Sequence, residues 1–164
     1  MYYFLNGYTA KIAGTEKGIH EPQASFETAF GAPFLTLSPE VYAELLRRKI
    51  AQHGTKVWLV NTGWTGGAAG VGKRIPIAYT RAMVRAALEG ELEGVTTIRH
   101  PIFGLQMPIS IEGVPSSVLN PRDSWEDQYA YDVQARKLAK MFVKNFVQFE
   151  SGVSDLVKNS MPKS

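Results

Sequence analysis

An α/β fold in one unit is what this sequence predicts, and three observations predict it. A strongly signalled amphipathic helix over Leu37–Gly54 runs straight into a short β-branched apolar run, Lys56–Val60. A second long helical pattern occupies Trp125 to about Phe149. Between and around them no repeat, low-complexity segment or linker divides residues 1–164.

Taken in order, residues 2–12 are apolar and aromatic, and after Met1 the chain enters Tyr-Tyr-Phe-Leu with no leader, as if an element had been cut midway. Ala13–Pro22 breaks that pattern with two glycines, mixed charge and a proline, the composition of an exposed loop with hinge-capable glycines. Ala24–Phe34, interrupted by Gly31 and Pro33, is expected to be irregular or short-stranded. In the first long helix Ser38 can cap, Pro39 suits the first helical position and Glu40 complements the positive end of the dipole. Val41, Tyr42, Leu45, Leu46 and Ile50 form its apolar face, and Gly54 ends it.

Lys56–Val60 then reads as a buried strand. Arg74–Ile77 should be extended, because Ile75 precedes a proline and is pushed away from helical geometry. Thr80 is expected to cap a helix through Leu88 that Gly90 terminates. Residues 95–121, punctuated by Pro101, Pro108, Pro115 and Pro121, read as strands or loops. Asp123 and Glu126 have capping-box spacing for the last helix. Its stripe is Ala135, Leu138, Ala139, Phe142, Phe146 and Phe149, opposite Arg136, Lys140 and Lys144.

Composition narrows the function classes. Forty-five per cent hydrophobic and 20% charged residues describe a globular chain. A net charge of +3 suits an anionic small molecule and falls short of a nucleic-acid-binding stripe. There is no cysteine, which excludes disulfides and thiolate metal sites. No apolar run approaches the ~18 residues that would span a membrane. With no signal-peptide pattern at the N-terminus, a soluble cytoplasmic protein is the expectation.

The densest candidate for chemistry is Asn61–Ile77, with five glycines between Gly63 and Gly72. Gly67–Lys73 fits the first seven positions of G-x-x-x-x-G-K-[ST], but Arg74 stands where the magnesium-binding hydroxyl belongs. A phosphate loop should also run straight into a helix, and here Pro76 intervenes. On these residues alone the stretch is a near-miss, equally readable as a mobile connection. Arg74 could stack on a nucleobase, the backbone of Arg74–Ile75 could read a base edge, and Thr80 could add a hydroxyl; a surface arginine and an ordinary helix cap explain the same residues. His20, His53 and His100 lack metal-ligand spacing, and Glu89, Glu91 and Glu93 read as a wet helix end. No catalytic set stands out: a nucleotide site is as far as the residues reach.

Several blocks together resemble one family, the ATP-dependent phosphoenolpyruvate carboxykinases, in their C-terminal portion. They are YYFLNGYTAKIAGTEKGIHEP, FGAPFL, VWLVNTGWTGG, GKRIPIAYTRAMV and LNPRDSW, in the family's order and covering Tyr2 to about Phe149. The resemblance implies the mixed-sheet, nucleotide-binding C-terminal lobe of that fold, incomplete in this chain. It implies that Arg74 and Ile75 hold the adenine and ribose end of ATP, with Thr80 a further contact. Gly14, Thr15, Glu16, Lys17 and Gly18 are similar to the lid that closes over bound substrates, in agreement with the glycine-hinged loop. The implied reaction turns oxaloacetate and ATP into phosphoenolpyruvate, CO2 and ADP, with Mg2+ on the nucleotide and a second ion, usually Mn2+. The family's phosphate loop, metal-binding Lys, His and Asp, and oxaloacetate-binding Arg and Tyr lie in preceding segments and have no counterpart here. The isolated chain is therefore expected to hold no metal and at most weakly bound ATP, to carry no catalytic residue and to be inactive. Apolar faces left open would favour its self-association. The competing expectation is a stand-alone nucleotide-binding or regulatory module; no nucleic acid or membrane partner is expected on either reading.

Overall fold

The structure, a computed structural model, describes residues 1–11, 23–68 and 70–163. In chain order its elements are α1 (Tyr2–Asn6), β1 (Tyr8–Lys11), β2 (Gln23–Phe26), α2 (Pro39–His53), β3 (Trp64–Thr65), β4 (Lys73–Arg74), α3 (Ile77–Leu88), β5 (Thr97–Arg99), β6 (Gln106–Pro108), α4 (Ser116–Leu119), α5 (Gln128–Phe146) and α6 (Asp155–Lys158). Short 3-10 turns cover Thr28–Phe30, Ala32–Phe34, Pro121–Ser124 and Val147–Gly152. Helix and strand are thus mixed, as expected, but the described strands form three separate two-stranded antiparallel ladders: β1–β2, β3–β4 and β5–β6. Among the described residues no helix is long and apolar enough to cross a membrane.

The chain divides into two compact units, one of residues 1–56 with 139–162 and one of residues 57–138 with Lys163. The first is organised by the aromatic stripe read from the sequence. Ala139, Phe142, Phe146 and Phe149 are all buried, and Arg136, Lys140 and Lys144 are exposed. Phe146 meets Tyr2 with ring centroids 4.5 Å apart. Phe142 packs edge-on against Phe26 at 5.2 Å, and Phe26 stands directly across the β1–β2 ladder from Tyr8. Two amides, Asn6 buried and Asn145 half-buried, continue the seam: Asn145 donates through Nδ2 to Asn6 Oδ1 at 3.0 Å, and Asn6 Nδ2 donates to the Tyr2 carbonyl at 3.0 Å. Ala24–Phe34 is short-stranded and then irregular, as its glycine and proline demand.

α2 keeps its predicted bounds, with Ser38 at the N-cap, Pro39 in the first turn and Gly54 in the left-handed C-cap conformation. The Ser38 hydroxyl makes no capping bond. Its apolar face is largely uncovered: Val41, Leu45 and Leu46 are exposed, and Ala43 is the residue of the helix that is buried. Periodicity identifies which side of a helix is apolar, but covering that side needs a neighbour, and within this unit α2 meets α1 through a narrow strip.

The predicted strand Lys56–Val60 does not form. Those residues have no regular structure, and Val57 and Leu59 are 62% and 60% exposed. A β-branched run becomes a strand when another strand accepts its backbone bonds, and among the described residues none pairs with it. α3 begins at Ile77 with Pro76 at its N-cap, so Thr80 lies inside the helix and does not cap it. Tyr79 and Thr80 donate their N–H groups to the Pro76 carbonyl, which sets the cap four residues earlier than the threonine suggested. α5 likewise starts at Gln128, after the expected Trp125, and the 3-10 turn Val147–Gly152 continues it past Phe149. Its cap is Asp127, whose Oδ1 accepts from Tyr129 and Ala130 N–H at 2.9 and 3.0 Å. The predicted capping box fails because the 3-10 turn claims Asp123, which accepts from Asn120 Nδ2 at 2.6 Å.

Candidate functional site

The glycine-rich stretch folds as a hairpin. β3 and β4 pair with Trp64 opposite Arg74 and Thr65 opposite Lys73. Between them the chain turns so tightly that a Cβ on Gly67 would stand 2.8 Å from the Gly72 nitrogen, and one on Gly72 2.7 Å from the Gly67 carbonyl oxygen. Only glycine allows two backbones to approach so closely. Val71 and Gly72 both direct their N–H groups at the Ala68 carbonyl, at 3.1 and 2.9 Å. Those amides are consumed within the turn, and a strand follows Lys73 where a phosphate loop would start a helix. The mismatch to the phosphate-loop pattern extends to the backbone, and the described glycines take part in a close turn.

That hairpin is tied down at its base. Thr65 Oγ1 and Gly66 N–H both donate to Ser124 Oγ, at 3.0 and 3.2 Å, and Ser124 donates onward to the Pro121 carbonyl at 2.7 Å. The adjoining Arg122 grips Asp132 of α5 with two hydrogen bonds, Nε to Oδ1 at 3.0 Å and Nη2 to Oδ2 at 3.2 Å. The guanidinium holds the Asp132 carboxyl below the ordinary carboxylate range. The block LNPRDSW therefore acts structurally, as the clamp under the hairpin.

Arg74, Ile75 and Thr80 lie along one strand-to-helix connection. Arg74 is exposed at the end of β4, and among the described residues it makes no ion pair. Its Cζ stands over the indole of Trp64, 5.9 Å from the ring centroid. The Ile75 side chain is buried, and its N–H donates to the Gly63 carbonyl at 3.0 Å. That bond commits the Ile75 N–H within the hairpin. Half-buried Thr80 sits in the first turn of α3. Gly14, Thr15, Glu16, Lys17 and Gly18 lie outside the described residues.

His100 is buried and hydrogen-bonded through both ring nitrogens. Its Nδ1 accepts from Ile102 and Phe103 N–H, each at 3.2 Å, so Nε2 carries the proton and donates to Tyr131 Oη at 2.7 Å. Burial pushes the imidazole below its ordinary value of 6.5 and Tyr131 up to about 12, favouring the neutral form of both. Among the described residues no group of three or more His, Asp or Glu side chains could hold a metal ion.

Sequence reasoning missed Trp64 and Ser124. The dipeptides Trp64-Thr65 and Lys73-Arg74, flanking the glycines, were a hairpin signal. Ser124 carried none, being far away in sequence.

The family model for phosphoenolpyruvate carboxykinase, in its ATP-dependent form, matches residues 1–117. The chain belongs to the ATP-dependent phosphoenolpyruvate carboxykinase family. Similar relatives carry that name along the whole sequence. The Moorella thermoacetica phosphoenolpyruvate carboxykinase (ATP) 2 is 60% identical over 149 residues, 91% of this chain and 28% of its own length. Phosphoenolpyruvate carboxykinase (ATP) of Caldanaerobacter subterraneus subsp. tengcongensis is 57% identical over 99% of this chain and 31% of its own. The Thermus thermophilus protein of the same name is 54% identical over 100% of this chain and 31% of its own. The chain thus spans under a third of the length of the curated relatives it matches, and corresponds to the C-terminal part of such a carboxykinase.

Proposed function

We propose that this chain supplies the adenine and ribose side of the ATP site, and the lid, to a complete carboxykinase converting oxaloacetate and ATP to phosphoenolpyruvate, CO2 and ADP. The placement of Arg74 carries this reading: an exposed guanidinium, with no ion-pair partner among the described residues, on a clamped hairpin, followed at once by Ile75 and, in the next turn, by Thr80. In that role Arg74 stacks on the base. Thr80 contributes its hydroxyl, and the Ile75 carbonyl faces a base edge in place of its committed N–H. Gly14, Thr15, Glu16, Lys17 and Gly18 serve as the lid that excludes water.

Residues 1–164 act here as one part of the nucleotide-binding C-terminal lobe, with the lid at about 13–22, the adenine side at 73–80 and the last helix at about 125–149. The exposure of Val57, Leu59 and the α2 face supports a sheet and core incomplete in this chain alone. The same faces favour self-association of the isolated chain. The complete enzyme is cytoplasmic and uses no nucleic acid.

Phosphoryl transfer depends on positioning and on neutralising charge with metal ions and cations. The described residues do not fit the family's Mg2+ and Mn2+, since they offer no converging donor set. The chain alone is therefore expected not to turn over; ATP- and Mn2+-dependent oxaloacetate decarboxylation by the purified chain would refute this. In the complete enzyme Arg74→Ala is expected to raise the KM for ATP roughly 2- to 30-fold, the range of a cation–π contact, and to raise that for oxaloacetate less. Equal effects on both, or none, would count against the assignment of Arg74.

A further inference from the structure

We infer that Trp64 is a positioning residue for the nucleobase site: its indole holds the Arg74 guanidinium against the hairpin so that the opposite side meets the base. This rests on the reading of Arg74 above and adds a residue to it. Trp64 stands directly opposite Arg74 in the β3–β4 register, and the Arg74 Cζ lies over its ring at 5.9 Å, within the reach of a cation–π attraction. Trp64 is 43% exposed, so the indole is not there to fill a core. The backbone beneath the pair is fixed by the Gly67–Gly72 approach and by the Ser124 clamp. Arg74 has no carboxylate partner among the described residues to orient it.

A free arginine side chain samples many rotamers, and ordering it on binding weakens the complex. An indole already under the guanidinium removes part of that loss before the ligand arrives. The expected ligand face is a layered one, with indole, guanidinium and base in that order.

The test uses the complete enzyme and measures equilibrium binding of ATP and of inorganic tripolyphosphate, which has no base. Trp64→Leu should weaken ATP binding about three- to fivefold, the worth of an exposed cation–π contact. It should leave tripolyphosphate unchanged and raise the KM for ATP with little change in kcat. Trp64→Phe, whose ring is a weaker cation partner but keeps the hairpin filled, should fall between, at about twofold; it serves should the leucine variant unfold. In an Arg74→Ala background both losses should vanish. If Arg74→Ala weakens ATP binding while neither Trp64 variant does, this inference fails and the Arg74 reading stands. If Arg74→Ala leaves ATP binding unchanged, both fall. Equal weakening of ATP and tripolyphosphate, or a Trp64 effect that persists without Arg74, would show a general role in hairpin stability and overturn the inference.

Discussion

Gly7→Ala is expected to destabilise the first unit by about 3–5 kcal/mol, in the exceptional range for a single methyl group. Gly7 is the left-handed C-cap of α1, at φ 55°, ψ 45°, where the chain leaves the helix for β1. Its carbonyl accepts from Glu27 N–H at 3.0 Å, and the Glu27 carbonyl in turn accepts from Phe30 N–H at 2.8 Å. A Cβ on Gly7 would fall 1.6 Å from that Glu27 oxygen, so backbone must move and both bonds are at risk. Gly54→Ala is the control, because Gly54 has a similar φ of 62° and open space around it. That substitution should cost roughly 1 kcal/mol, the left-handed strain alone. Thermal unfolding followed by circular dichroism compares them. If the two variants melt together, steric contact at Gly7 is not what demands glycine there.

Phe146→Ala is expected to cost about 3–5 kcal/mol, a large part of a domain's usual 5–15. Phe146 is fully buried, with the Tyr2 ring at 4.5 Å and the Phe149 ring at 6.0 Å. Truncation leaves a cavity between α1 and the end of α5 that neither can collapse to fill, since the Asn6–Asn145 bond holds their spacing. Phe34→Ala removes the same ring from an 87% exposed position and should change stability by under about 0.5 kcal/mol. Urea unfolding of both variants checks this. A loss at Phe34 as large as that at Phe146 would mean that the aromatic cluster does not carry the unit's stability.

The amino-acid order by itself determined the long helices and their punctuation. Pro39 and Gly54 bracket α2, and of the predicted stripe Ala135, Ala139, Phe142, Phe146 and Phe149 are buried where a 3.6-residue period places them, with Leu138 half-buried. Both signals are local: a ring that fixes φ, a residue free to take positive φ, and a repeat matched to the helical turn. The family, too, was legible, because its blocks are contiguous runs of residues. What remained hidden needed partners distant along the chain. Val57 and Leu59 look like a strand but pair with none among the described residues, and Val41 and Leu45 lie on an apolar face but are exposed. Asp127 took the cap expected of Asp123 because a turn folding elsewhere claimed the latter. The glycines from Gly63 to Gly72 showed that the backbone must do something unusual, but not what. Only the tertiary structure turned them into a hairpin, clamped it with Ser124 and set Trp64 beneath Arg74, because those contacts join residues whose spacing in sequence has no local period.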